Sequence, residues 1–166
     1  MVSKETEVQM KKFILACLFL VSAFSFALEK SGIKEYDSLD ISKGKIIAYY
    51  NTKKQIVEEP AAMFYRKDYG KKGNYHLVAD FYADTDTPEK IFMLRDLDDE
   101  DSINGKLAYY NKDETISYVA DMKNGRIDGQ KTTFEKGKVA AVVNFTNKLA
   151  NGKGTLYYKE KKYAEA

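Results

Sequence analysis

The stretch Ile116-Ser-Tyr-Val-Ala-Asp-Met-Lys-Asn-Gly-Arg-Ile-Asp-Gly129 decides how the rest of the chain is read. Ile116, Tyr118, Ala120 and Met122 alternate with Ser117, Val119, Asp121 and Lys123. A period of two is that of a strand with one apolar face, not of a helix. Asn124-Gly125 then supplies a dipeptide that reverses a chain. Shifted by 23 residues, the first set becomes Val139, Ala141, Val143 and Phe145, and Met122 to Gly129 falls over Phe145 to Gly152. Ile103-Asn104-Gly105 precedes them as a third copy, and Gly44 with Tyr49-Tyr50 opens an earlier one.

Working outward, each of these glycines is followed by an aromatic residue, with Tyr110, Phe134 and Tyr158 spaced 24 apart. A polar turn follows the aromatic, Asn111 to Glu114 in one copy and Glu135 to Lys138 in the next. Asn151-Gly152 gives a further reversal between units. One unit is therefore one hairpin, which cannot bury its apolar face alone and must stack on its neighbours. The last, shortened unit, Thr155 to Tyr163, carries Lys159-Glu-Lys-Lys162, which suits a polar cap. Between about residues 60 and 104 the strand character persists in a diverged form. There Tyr75, Leu77, Ala79 and Phe81 alternate with His76, Val78, Asp80 and Tyr82, and Ile91 to Leu94 return after the loop Asp84 to Pro88. The expected fold is all-β, an antiparallel meander of repeated hairpins over residues 28–166, clearest at 105–158.

The recurring Asn-Gly-Lys or Asp-Gly, then aromatic, polar turn and apolar strand, resembles the MORN-repeat variant of many bacterial proteins, including those labelled YwqK-like antitoxins. The likeness covers Gly105 to Tyr158 most clearly and Gly44 to Val57 in part. The chain departs from the eukaryotic MORN consensus in lacking Trp and in placing Lys148 where a repeat glycine aligns with Gly125. The resemblance implies a single-sheet solenoid that contacts proteins or membrane surfaces and has no conserved catalytic residue. It also offers an antitoxin or immunity-like inhibitor as an alternative role, although a cytoplasmic toxin would not require an exported inhibitor.

Export is expected because Lys11-Lys12 precedes the weakly polar to apolar run Phe13 to Phe26, with Ser25 and Ala27 as the small residues of a cleavage site after Ala27. Such a run is too short for a spanning helix of about 20 apolar residues and fits a signal peptide. Met10 is the expected true start, since Glu5 and Glu7 do not suit a basic leader. The lone Cys17 falls in the leader, so the exported part carries no thiol. The expected destination is the periplasm, the cell surface or the medium.

Composition narrows the functions. With 27 Lys and Arg against 25 Asp and Glu, the chain lacks the basic footprint of a nucleic-acid binder. His76 is the single histidine, which excludes a two-histidine metal site within one chain. The acidic run Asp96 to Asp101 lacks the glycine and the distal glutamate of an EF-hand loop and reads as a solvated loop, as do Asp84, Asp86 and Glu89. No phosphate cradle of the Gly-x-x-x-x-Gly-Lys type occurs. A non-catalytic protein without metal or cofactor is expected, its partner another protein, with a membrane surface or glycan as the alternative. The candidate binding row is Tyr49, Tyr109 and Tyr157, expected on one face while Tyr50, Tyr110, Phe134 and Tyr158 fill the core. The competing reading of that row is a tyrosine ladder that stabilises cross-strand pairs.

Overall fold

The computed structural model describes residues 28–152, 154–158 and 161–165; the leader, residues 1–27, lies outside them. The described chain is one open antiparallel sheet of eleven strands in meander order. The strands are β1 (Lys45–Tyr50), β2 (Phe64–Lys72), β3 (Tyr75–Tyr82), β4 (Pro88–Leu94), β5 (Ile103–Tyr110), β6 (Ile116–Lys123), β7 (Arg126–Glu135), β8 (Lys138–Thr146), β9 (Leu149–Ala150), β10 (Thr155–Tyr158) and β11 (Lys161–Glu165). Pairing runs from β1 through β8 to β10 and β11, with β9 folded back on β8. The all-β meander expected from the period of two is thus the fold, and residues 60–104 supply three full strands of it.

The unit has a more detailed anatomy than alternation predicts. Opposite the aromatic end of each hairpin one residue is left out of the pairing: Ser117 between β5 and β6, Ala140 between β7 and β8, Tyr163 between β10 and β11. These three bulges are 23 residues apart. A bulge slips the side-chain phase by one. Ile116 therefore lies on one face of β6, whereas Tyr118 and Met122 belong to the other. The single apolar face expected for Ile116, Tyr118, Ala120 and Met122 is divided between both sides. A second irregularity sits at the glycine end, where three residues of one strand oppose one of its neighbour, around Gly105 and again around Gly129. Gly129 has φ 125, and a Cβ there would stand 2.7 Å from the Cβ of Asp121, so both backbone and neighbour demand glycine.

The reversals at Asn111–Glu114, Asn124-Gly125 and Lys136-Gly137 fall where the polar stretches placed them. The next reversal is at Asn147-Lys148, between β8 and β9, rather than at Asn151-Gly152, which joins β9 to β10. Asn147 and Lys148 have φ 52 and 71, nearly those of Asn124 and Gly125 at 48 and 69. The repeat thus keeps its left-handed turn geometry with a lysine in the glycine's place.

Two layers cover the sheet, both over its first half. Residues 28–44, including the short helix α1 (Lys34–Asp37), form a strap across one face, which we term the strap face. Leu28, Ile33, Tyr36, Leu39 and Ile41 pack there on Tyr65, Leu77, Ala79, Phe81, Ile91, Ala108 and Tyr110. The Tyr36 hydroxyl donates to the Lys106 carbonyl at 2.6 Å, and Glu29 accepts from the Ile116 amide at 2.6 Å. On the opposite face, Leu97 of the loop after β4 helps close a smaller core of Val78, Phe92, Leu94, Ile103 and Leu107. Among the described residues none beyond Ala120 is buried.

Candidate functional site

The face opposite the strap carries a cleft of about 570 Å³, with Ile47, Tyr50, Lys54, Ile56, Leu97 and Glu100 among its walls. Its floor is an arginine in the middle of a sheet. Arg66 on β2 and Asp80 on β3 are cross-strand partners, so their side chains share a face and form a two-pronged pair, Nε to Oδ1 at 2.6 Å and Nη2 to Oδ2 at 2.9 Å. Both are sealed, at 2% and 1% exposure. The guanidinium is flanked by the rings of Tyr50 at 5.2 Å and Phe92 at 5.0 Å, and Glu100 from the acidic loop closes on Nη2.

Lys90, the next residue in the same cross-strand row, adds a contact of 3.1 Å to Asp80 and one of 3.5 Å to Glu100. Glu89 is skipped in the pairing of β3 with β4, and this bulge turns its carboxylate to the face of Lys90. There it accepts from the Tyr109 hydroxyl at 2.9 Å and meets Lys54 at 2.7 Å. Arg66, Lys90 and Lys54 thus balance Asp80, Glu89 and Glu100. Burial works against a charge on Asp80, but the Arg66 hydrogen bonds and the Lys90 charge outweigh it and hold the carboxyl below its ordinary range. Burial likewise opposes the Lys90 ammonium, and the charges of Asp80 and Glu100 hold it above the ordinary lysine range. Arg66 and Lys90 thus spend their charges on carboxylates of this chain.

The three candidate tyrosines do not form one row. Tyr49 pairs with Tyr65 and packs under the strap, 6.3 Å from the Tyr65 ring. Tyr109 lies on the opposite face, stacked on Tyr118 at 5.1 Å with planes 7° apart. Its hydroxyl is committed to Glu89, and burial followed by that bond pushes the phenol up. Tyr157 is on the strap face, beside Thr132 and Val142, but far along the uncovered strands. The reasons are the bulges and a unit length of 23 rather than 24, which aligns Tyr157 with Phe134 instead of Thr133. Within the clear repeats the phase does follow expectation: Tyr110 is fully buried and Phe134 packs on the same core, whereas Tyr109 and Thr133 share the other side. Tyr50 departs from it, standing over Arg66 in the cleft rather than in the strap-face core.

His76, on β3, is within 3.0 Å of the Asp68 carboxylate. In the acidic loop, Asp96 accepts from the Asp98 amide and Asp99 from the Asp101 amide, so both carboxylates hold their own backbone. The Arg66 cluster escapes a reading of the sequence because no local spacing marks it: its paired charges are 10 to 35 residues apart and meet through strand register and loops. The alternation over Tyr75–Phe81 puts Asp80 on the side away from the apolar set, and no pattern in the sequence pairs it with Arg66.

A second concave surface is on the strap face of the last strands. Thr132, Gly137, Lys138, Val139, Val142 and Tyr157 line a groove of about 530 Å³ that no element of the described chain covers. Among the described residues no helix is long and apolar enough to cross a membrane. Comparison with known proteins yields no matching family model, no similar curated protein and no similar solved structure, so the MORN likeness rests on the repeat itself.

Proposed function

We propose that this chain is an exported, non-catalytic hairpin-repeat module that binds another protein through the uncovered part of its sheet. The observation that carries this reading is that no described residue beyond Ala120 is buried, on strands that still present Val139, Val142, Phe145, Leu156 and Tyr157. Each square ångström of apolar surface that a partner removes from water there contributes about 25 cal/mol. A face rather than an edge is favoured. The outer edge of β1 is taken by the following loop, through the Ile56 bridge to Tyr50 and the Val57 amide on the Tyr49 carbonyl. β11 carries Lys161, Lys162 and a bulge at Tyr163, devices that discourage strand addition. The saturated ion cluster under the cleft supports a scaffold role for the other half, and the leader supports export.

The test is a pull-down from cell-envelope extract with the wild-type protein and a Val142→Glu, Tyr157→Ala double variant of unchanged circular dichroism. One or more proteins retained by the wild type and released by the variant are expected. An identical set on both would remove the uncovered strands as the binding surface.

A further inference from the structure

We propose that the strap face of β7, β8 and β10 receives an acidic segment of the partner protein, laid across the strands as the chain's own strap lies across β2–β6. The proposal rests on the protein-binding reading above and names the chemistry of the partner.

Three observations converge on it. The near-neutral total conceals two opposite halves. Residues 28–120 hold 14 Lys and Arg against 18 Asp and Glu, whereas residues 121–166 hold ten against five. The uncovered strands thus belong to the basic half, and a long-range field of that sign steers an acidic partner to them. Second, the groove combines apolar walls, Val139, Val142 and the Tyr157 ring, with cations at its border. Lys138 lines it, and Lys162, the cross-strand partner of Tyr157, projects on the same face, where its ammonium meets Glu165 at 2.7 Å, a solvent-exposed pair that an incoming carboxylate can join or replace.

Third, the strap already seats an acidic side chain at the margin of this groove. Glu29 accepts the Ile116 amide, and its carboxylate lies against Gly137, at the spot where a Cβ would stand. Gly137 is itself a wall of the groove. The covered surface therefore runs directly into the uncovered one, and its last contact is a carboxylate beside a glycine turn flanked by Lys136 and Lys138. A segment continuing this path would place further carboxylates near Lys138 and Lys162 and an apolar side chain between Val142 and Tyr157.

The experiment is selection of a random-peptide display library on the full chain, followed by hydrogen-exchange mapping of the enriched peptides. Enriched peptides of net negative charge with an aliphatic or aromatic anchor, protecting Val139–Val142 and Thr155–Tyr157, are expected. Their affinity should fall about tenfold in a Lys138→Glu, Lys162→Glu double variant and less in the Gln pair. It should also weaken in salt near 1 M, where screening shortens to about 3 Å. Neutral or basic peptides protected on the same strands would overturn the acidic partner while leaving face docking intact. Protection elsewhere, or a self-associated chain that protects these strands without peptide, would overturn both.

Discussion

Strands β2–β6 and β7–β11 are built from the same kind of hairpin, yet they end in opposite physical states. In the first set Phe81, Ile91, Phe92, Leu94 and Tyr110 have at most 1% exposure, whereas in the second Leu149 and Tyr163 are more than 70% exposed. The difference does not come from the strands themselves, because the turns, bulges and apolar alternation continue across the boundary. It comes from two non-repeating segments, the strap before β1 and the acidic loop after β4. They give the first half a layer on each face. A hairpin repeat thus encodes pairing and register, and whether its faces become core or stay exposed is decided by what lies over them.

That comparison can be broken most directly at the buried ion pair. Asp80→Asn leaves Arg66 without its two-pronged partner in a sealed position and should cost about 3–5 kcal/mol in urea unfolding. The same carboxylate sets an acid limit. Because its folded value lies below the ordinary 3.8, it stabilises the fold fully above that pH. This contribution is lost as pH falls through the lower, folded value, a limb that the Asn variant should lack. Next, Phe92→Ala in the covered half should cost about 3–5 kcal/mol. The half-buried Phe145→Ala in the uncovered half should cost about 1 kcal/mol by thermal unfolding; equal costs would abolish the distinction. Removing the Tyr36 hydroxyl with Phe loses the bond to the Lys106 carbonyl, about 1 kcal/mol, and should raise protease cleavage within residues 28–44.

Equivalent turns give a comparison of opposite signs, ending in the smallest effect. A Cβ on Gly125 would stand 2.7 Å from the Asp101 backbone, so Gly125→Ala should destabilise by about 1–3 kcal/mol. At Lys148, in the same left-handed conformation, substitution by Gly should instead stabilise by about 0.5–1 kcal/mol, since it relieves a cost of about 1–2 kcal/mol.

The strand set is legible wherever alternation is local, as at Tyr75–Tyr82 and Ile116–Lys123, and the turns at Asn111–Glu114, Asn124-Gly125 and Lys136-Gly137, whereas Asn151-Gly152 marks no reversal. What alternation alone does not carry is phase. Ser117, Ala140 and Tyr163 look like ordinary members of their strands, and nothing in their chemistry announces that each is skipped by its partner. Register is equally silent: Tyr49 and Tyr109 hold the same place in their Tyr-Tyr pairs, yet Tyr49 falls in the row of Tyr65 and Phe81 and Tyr109 in the opposite-facing row of Asp80 and Lys90. The strap was also hidden, since Leu28, Ile33, Tyr36, Leu39 and Ile41 show neither helical nor strand periodicity and gain meaning only from the surface they cover.

The recurrence of one skipped residue every 23 makes the unit a closed step. Twenty-three is odd, so in a perfectly alternating ribbon each successive copy would present its side chains to the wrong side. The extra residue restores the parity, and whole units can then be added or lost without turning the downstream strands inside out. Length variation by a complete unit is neutral for the faces of this sheet, whereas a single-residue insertion within a strand exchanges core for surface all the way to the next bulge.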